Sequence, residues 1–110
     1  MALGNFEYVL LAAAARLGGG AYGAAIRKEI ESATWRRCSI GSIYITLDRL
    51  EAKGFVRTQM GDPTPQRGGR ARRMVHLTPQ GVREASDFYA EIRRATRRVP
   101  WEACQNAGGA

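Results

Sequence analysis

His76 is the only histidine, and the two cysteines, Cys38 and Cys104, lie far apart in the sequence. One imidazole and two separated thiols do not make a metal site. They also lack the spacing that pairs a nucleophile with a base. No convergent His, Cys or carboxylate set is present, so the sequence gives no reason to expect an enzyme, a cofactor or a bound metal. Two cysteines are not a disulfide framework and read as reduced thiols. Cys38 follows Arg36 and Arg37, whose positive charge favours thiolate, so a redox switch is the competing reading.

The remaining chemistry is that of arginine. Net charge is +7 over 110 residues. Residues 1–35 are neutral overall, and residues 74–110 carry a surplus of one positive charge. Residues 36–73 hold nine Lys/Arg against three Asp/Glu. Positive charge concentrated in one segment is the footprint of a polyanion partner. The competing reading is a basic protein with a solvated patch.

Inside that segment lies SIGSIYITLDRLEAKGFV, Ser39 to Val56. Ser39 can accept from the free N–H groups of a helix start, and Gly54 stops the helix. Ile43, Leu47 and Leu50 form a buried stripe. On a 100° wheel Ser42, Ile45 and Arg49 lie opposite, with Gly41 and Ala52 beside them and Tyr44 at the edge. A solvated face would carry more charge. Ser42 and Ile45 are compact, and Ile45 suits a thymine methyl. Arg49 suits guanine or phosphate. The face is therefore read as shaped for close approach to duplex DNA. A weakly polar surface with an incidental isoleucine is the alternative. Thr46 lies nearer the core side, where it packs or back-bonds.

The elements that position this helix follow from periodicity. Leu3, Phe6, Leu10, Ala13 and Leu17 recur at helical spacing, and Val9 and Leu11 widen the stripe. Gly18-Gly19-Gly20 ends this first helix. A second runs from about Tyr22 to Ala33, with Ile26, Ile30 and Ala33 inward. Thr34 to Cys38 is a connector in which Trp35 is expected to pack. Phe55 to Met60 alternates as a strand, and Arg73 to Leu77 is its partner. The intervening GDPTPQRGGRAR exceeds the usual hairpin loop of about 2–5 residues. Its Arg67, Arg70 and Arg72, on glycine-flanked backbone, could follow phosphates or enter a minor groove. Thr78 and Pro79 start a last helix. Val82, Ala85, Tyr89, Ile92, Thr96 and Val99 form an a/d-type seam along it, and Pro100 ends it. The tail NAGGA is expected to be loose.

The order is mainly α with a small β-hairpin: a winged helix-turn-helix over residues 1–77, its reading helix at about 39–53 and wing at about 55–77. A C-terminal helix over 78–100 and a tail over 101–110 follow. About 45% of residues are hydrophobic and 25% charged, as in globular chains. A single domain of this length buries roughly 65% of its unfolded surface. No apolar run approaches the ~20 residues of a membrane span. No leader pattern is read, so a cytoplasmic protein without membrane contact is expected.

The motifs in order resemble the PadR family of bacterial transcriptional regulators. AYGAAI is similar to that family's Tyr-Gly-x-x-Ile entry to the second helix, here Tyr22, Gly23 and Ile26. Ser39, Gly41, Tyr44, Leu47, Leu50 and Gly54 match its recognition helix, and GGRARRMVHLTPQG resembles its wing and last-helix start. The likeness spans residues 3 to about 98. It implies a homodimeric DNA-binding repressor, with Ser39, Ser42, Tyr44, Ile45, Arg49, Arg67, Arg70 and Arg72 toward double-stranded DNA. Tyr44 would meet phosphate or support the helix–wing junction. The first and last helices would build the dimer interface through Leu3, Phe6, Leu10, Val82, Ala85, Tyr89, Ile92 and Val99. Some short relatives stack flat aromatic effectors on a tryptophan between protomers; Trp101 is placed for that, or for capping the core or interface. Relatives often carry Pro where this chain has Ile45, which leaves base preference open. The chain resembles the short branch without an extended C-terminal domain. The rival functions are a winged-helix protein-interaction module and a non-specific DNA binder.

Overall fold

The structure, a computed structural model, describes residues 3–61 and 72–108, with side chains as far as Gln105. Helix α1 covers Asn5–Leu17 and ends in a 3-10 turn at Gly18–Gly20. Helices α2 (Gly23–Thr34) and α3 (Ile40–Ala52) follow, then strands β1 (Val56–Met60) and β2 (Arg73–Leu77). Helix α4 spans Pro79–Ala95 and α5 spans Trp101–Gly108. The fold is a mainly helical winged helix-turn-helix with a two-strand antiparallel wing and a C-terminal helix.

Each boundary of α3 has a local cause. The Ser42 N–H donates to Ser39 Oγ at 3.0 Å, capping the start of α3. At the other end Gly54 N–H donates to Glu51 O and Phe55 N–H to Leu50 O, a Schellman motif. It needs the left-handed backbone of Gly54, φ 80°. The following residue, Phe55, is fully buried under α3. Thr78 then caps α4, accepting from Gly81 N–H at 3.0 Å while its hydroxyl donates to Gly54 O. A Cβ on Gly81 would lie on the Phe55 carbonyl, so the turns ending α3 and starting α4 are packed backbone to backbone.

The core joins α1, α2, α3 and the wing. Leu10, Leu11, Ile26, Ile43, Leu47, Leu50, Phe55, Val56 and Val75 are fully buried. Burying a side chain of this size contributes about 2 kcal/mol, so this cluster dominates the stability of the winged domain. In the wing, Val56 pairs with Leu77 and Thr58 with Val75. The wing also reaches back to the start of α2: Val75 N–H donates to Ala21 O at 2.9 Å, and Tyr22 bridges Met74. Helix α4 is docked on α1 by the Tyr8–Phe88 ring stack, centroids 4.6 Å apart.

Five expectations need correcting. Leu3 and Leu10 are buried in the chain's own core, so they support any interface from beneath and offer no surface to a partner. Ala33 is exposed rather than inward. Trp35 is 94% exposed, because the helix ends there in a left-handed turn that turns the indole outward. Helix α4 stops at Ala95, short of Val99: the Thr96 hydroxyl donates back to Ile92 O, and Arg98 takes φ 55°. Of the NAGGA tail expected to be loose, residues 106–108 end a further helix that opens at Trp101.

Candidate nucleic-acid interface

Helix α3 has 13 residues, about 20 Å of helix. Its outer face presents Ile45, 57% exposed, with exposed Arg49 a turn further on. Arg49 makes no ion pair among the described residues. Ser39 and Ser42 are partly engaged in the helix start. The Ser42 hydroxyl donates to Ser39 O at 2.8 Å, while Ser39 Oγ serves as the cap. A base contact by Ser42 therefore uses its free lone pairs, or a donor taken from that bond. Thr46 is buried and its hydroxyl donates to Ser42 O, a back-bonding inward position.

Tyr44 is 40% exposed and leans on the start of α2. A Cβ on Gly23 would sit 2.8 Å from its hydroxyl oxygen. The Tyr-Gly pair thus has a packing reason: a side chain at residue 23 would push Tyr44 off α2.

The two acids of the outer α3 surface are turned to the wing. Arg73 Nη2 pairs with Asp48 Oδ1 at 3.1 Å and Glu51 Oε1 at 3.0 Å. Glu51 Oε2 accepts from the Thr58 hydroxyl and N–H. The Thr58 hydroxyl bond is the largest influence; burial opposes it, and the Thr58 N–H and Arg73 add to it, so the Glu51 carboxyl is held below its ordinary range. Asp48 and Glu51 were not singled out from the sequence, and Tyr22 and Arg73 were placed there only in a helix-entry motif and a strand. The usable signal was the i,i+3 spacing of Asp48 and Glu51 facing a basic strand.

Arg72 departs from its expected place. Its guanidinium stacks over the Tyr22 ring, 4.1 Å from the centroid, with Nη2 buried and without a hydrogen-bond partner among the described residues. It holds the wing's root against α2 instead of extending toward a ligand. Arg67 and Arg70 lie outside the described residues.

Behind α3, Lys53 Nζ donates to both Glu7 oxygens, at 2.9 and 2.8 Å. Burial pushes the Glu7 carboxyl up. The Lys53 hydrogen bonds, the Gly4 N–H and the charges of Lys53 and Arg49 outweigh it and hold the group below its usual range. This pair locks the C-terminal end of α3 to α1. Cys38 sits ahead of α3. Burial and the nearby Glu31 raise its thiol, against a smaller opposite effect of Arg27, so the thiolate that a redox switch needs is disfavoured. No group of His, Cys, Asp and Glu arranged to hold a metal occurs among the described residues. No helix among them is long and apolar enough to cross a membrane.

The comparisons bear on this arrangement directly. Residues 10–87 match the sequence pattern of the "Transcriptional regulator PadR-like family". The chain belongs to that family. Its members regulate transcription by binding DNA and are not enzymes. No curated protein matches the chain. Solved structures share the PadR-like fold. A PadR family transcription regulator from Clostridium difficile superposes with a TM-score of 0.70 at 19% identity, over 97% of this chain and 100% of that one. A PadR-like regulator from Bacillus cereus gives 0.68 at 19%, over 83% and 84%. F93 from STIV, described as a winged-helix DNA-binding protein, gives 0.66 at 19%, over 83% and 90%.

The α1–α4 seam divides in two. Val82 and Tyr89 are about half exposed and border a cleft of about 300 Å³ with Tyr8, Leu11 and Leu77. Phe6 and Ala85 are half-buried against the core. Beyond Ala90 the α4–α5 arm is exposed at every residue through Gln105 except Val99, with Ile92 at 45% and Trp101 at 68% exposure.

Proposed function

We propose that this PadR-like protein is a sequence-specific DNA-binding repressor that acts as a homodimer. The observation that carries the reading is the outer face of α3. It presents a compact apolar group, Ile45, and an unpaired cation, Arg49, while both of its acids are turned aside to Arg73. In a major groove, Ile45 and Ser42 face base edges, Arg49 takes guanine or phosphate, and Ser39 and Tyr44 border the backbone. Arg67 and Arg70, in the segment joining β1 to β2, add to the contact, and Arg72 keeps the wing in place. Such a protein works where the genome is, which in a bacterium is the cytoplasm.

Dimerisation is supported by the α4–α5 arm. Val82, Tyr89, Ile92 and Trp101 expose large apolar surface that the described residues do not cover. A second copy with the same stripe covers it by two-fold symmetry, and two reading helices then meet two half-sites. Phe6, Ala85 and Val99 flank that surface. A flat aromatic effector between protomers would stack on Trp101.

Selection of genome fragments, followed by titration of the recovered duplex at two salt concentrations, tests the reading. One enriched and roughly palindromic site, bound with a steep salt dependence, is the expected result. Uniform retention of all fragments would leave only non-specific coating. No retention at low salt would overturn DNA binding and favour a protein-interaction module.

A further inference from the structure

The connector between α2 and α3 has a feature that neither the core nor the α3 face uses. Trp35 occupies the C-cap of α2 at φ 59°, ψ 18°. That left-handed position is ordinarily filled by Gly or Asn, and a bulky side chain is strained there. The indole gains little packing from the described residues, since it is 94% exposed. Arg36 and Arg37 follow, both exposed and neither ion-paired among the described residues.

The connector is nevertheless held firmly. Trp35 N–H donates to Glu31 O at 2.9 Å, and Arg36 N–H donates to Thr34 Oγ1 at 3.3 Å. Cys38 N–H donates to a Glu31 carboxylate oxygen at 3.0 Å. Thr34 is itself tied to Ile30 O. An outward indole and two cations are therefore displayed on a braced backbone. They are also close to the reading helix, since four residues of chain bound the distance from Trp35 to the Ser39 cap at about 14 Å.

We propose that Trp35, Arg36 and Arg37 form a second contact with duplex DNA, on the sugar-phosphate backbone flanking the segment that α3 reads. The two guanidinium groups bind phosphates, and the indole lies against the adjacent deoxyribose. This inference rests on the DNA-binding reading above and extends its footprint beyond α3 and the wing. Charge complementarity selects the partner: two exposed cations next to an amphipathic ring suit a polyanion with apolar sugar edges. The contact is independent of base identity, so it adds affinity without adding preference.

The test titrates the recovered duplex with the full chain, as wild type, as Arg36→Ala/Arg37→Ala and as Trp35→Gly, across a salt series. The double variant should lose a log–log salt slope of about 1.8 per protomer, at about 0.9 per phosphate. Its ranking of competing duplexes should not change. Trp35→Gly should weaken binding with the slope unchanged and should melt ~4 °C higher, because glycine relieves the positive φ. Trimming the duplex to its palindromic core should bring wild type down to the affinity of the double variant. A bound wild type whose slope and affinity survive Arg36→Ala/Arg37→Ala overturns this contact alone. A wild type that binds no duplex overturns it together with the DNA reading. A changed duplex preference in the double variant also overturns it, because it would place the arginines on bases.

Discussion

Gly41 provides the sharpest test of whether the α3 face approaches DNA closely. It is exposed in the first turn of α3, beside Ser42 and Ile45. Its backbone is not in the positive-φ region, and a Cβ there would find only Ser39 Oγ, at 3.9 Å. Nothing inside the protein requires glycine. Alanine is the better helix former by up to ~1 kcal/mol in a helix interior, and about half of that is expected in a first turn. Gly41→Ala should therefore raise the melting temperature by about 3 °C. If the backbone there approaches base edges, the added methyl must open the interface. Binding should then weaken at least about tenfold, or ~1.4 kcal/mol. Thermal melting and a duplex titration on the same preparation give both numbers. A variant that melts higher and binds as tightly as wild type would refute close approach at this turn.

Three further outcomes follow from packing and charge. The folded-state value of Glu7 is lowered, so the stability from its Lys53 pair is fully present above the ordinary carboxylate pKa of about 4.3 and fades as pH falls through the lower folded value. Glu7→Gln should cost about 2 kcal/mol at neutral pH, and the gap from wild type should narrow as pH falls below the ordinary carboxylate range; a gap independent of pH would contradict the pairing. Gly81→Ala drives a methyl into the Phe55 carbonyl and should cost about 3 kcal/mol, a loss of more than ~12 °C in melting temperature, whereas near-wild-type melting would show that the junction gives way cheaply. Cys104 is exposed while the Cys38 thiol is raised by burial, so mass spectrometry after brief alkylation at pH 8 should find the label on Cys104 first; equal labelling would argue against the sheltered setting of Cys38.

The parts most legible in the sequence were those with local causes. Ser39, Gly54 and Thr78-Pro79 mark helix ends through their own hydrogen bonds and backbone freedom, and α3 runs within a residue of its expected bounds. The Ile43, Leu47 and Leu50 stripe is likewise local, and all three are fully buried. Less legible was which surface would cover an apolar face. Leu3 and Leu10 share the periodicity of an interface stripe, yet the chain's own core covers them. The Tyr22–Met74 bridge involves a single residue pair and leaves no alternation to detect. Trp35 misled because aromatic residues usually pack, whereas here the backbone conformation at a helix end sets its direction. The α5 helix follows a Pro and runs into Gly-rich sequence, both signals of irregular chain.

The wing arginines show how a charge count can overstate an interface. Of the nine basic residues in 36–73, Lys53 is held by Glu7, Arg72 is stacked on Tyr22, and Arg73 is shared between Asp48 and Glu51. These three join α1, α2 and α3 to one another and to the wing, so α3 and the wing are presented as one body. Acids on a DNA-facing helix would otherwise repel phosphates. With Arg73 between them, they fix the wing's angle and one of their two charges is offset locally. Arg73→Ala therefore separates the two roles of an arginine. It frees two carboxylates at the edge of the interface and releases the wing, so affinity should fall about tenfold or more. The log–log salt slope should stay as it is, because no phosphate contact is removed. A slope shallower by about 0.9 would place Arg73 on a phosphate and refute its role as a brace.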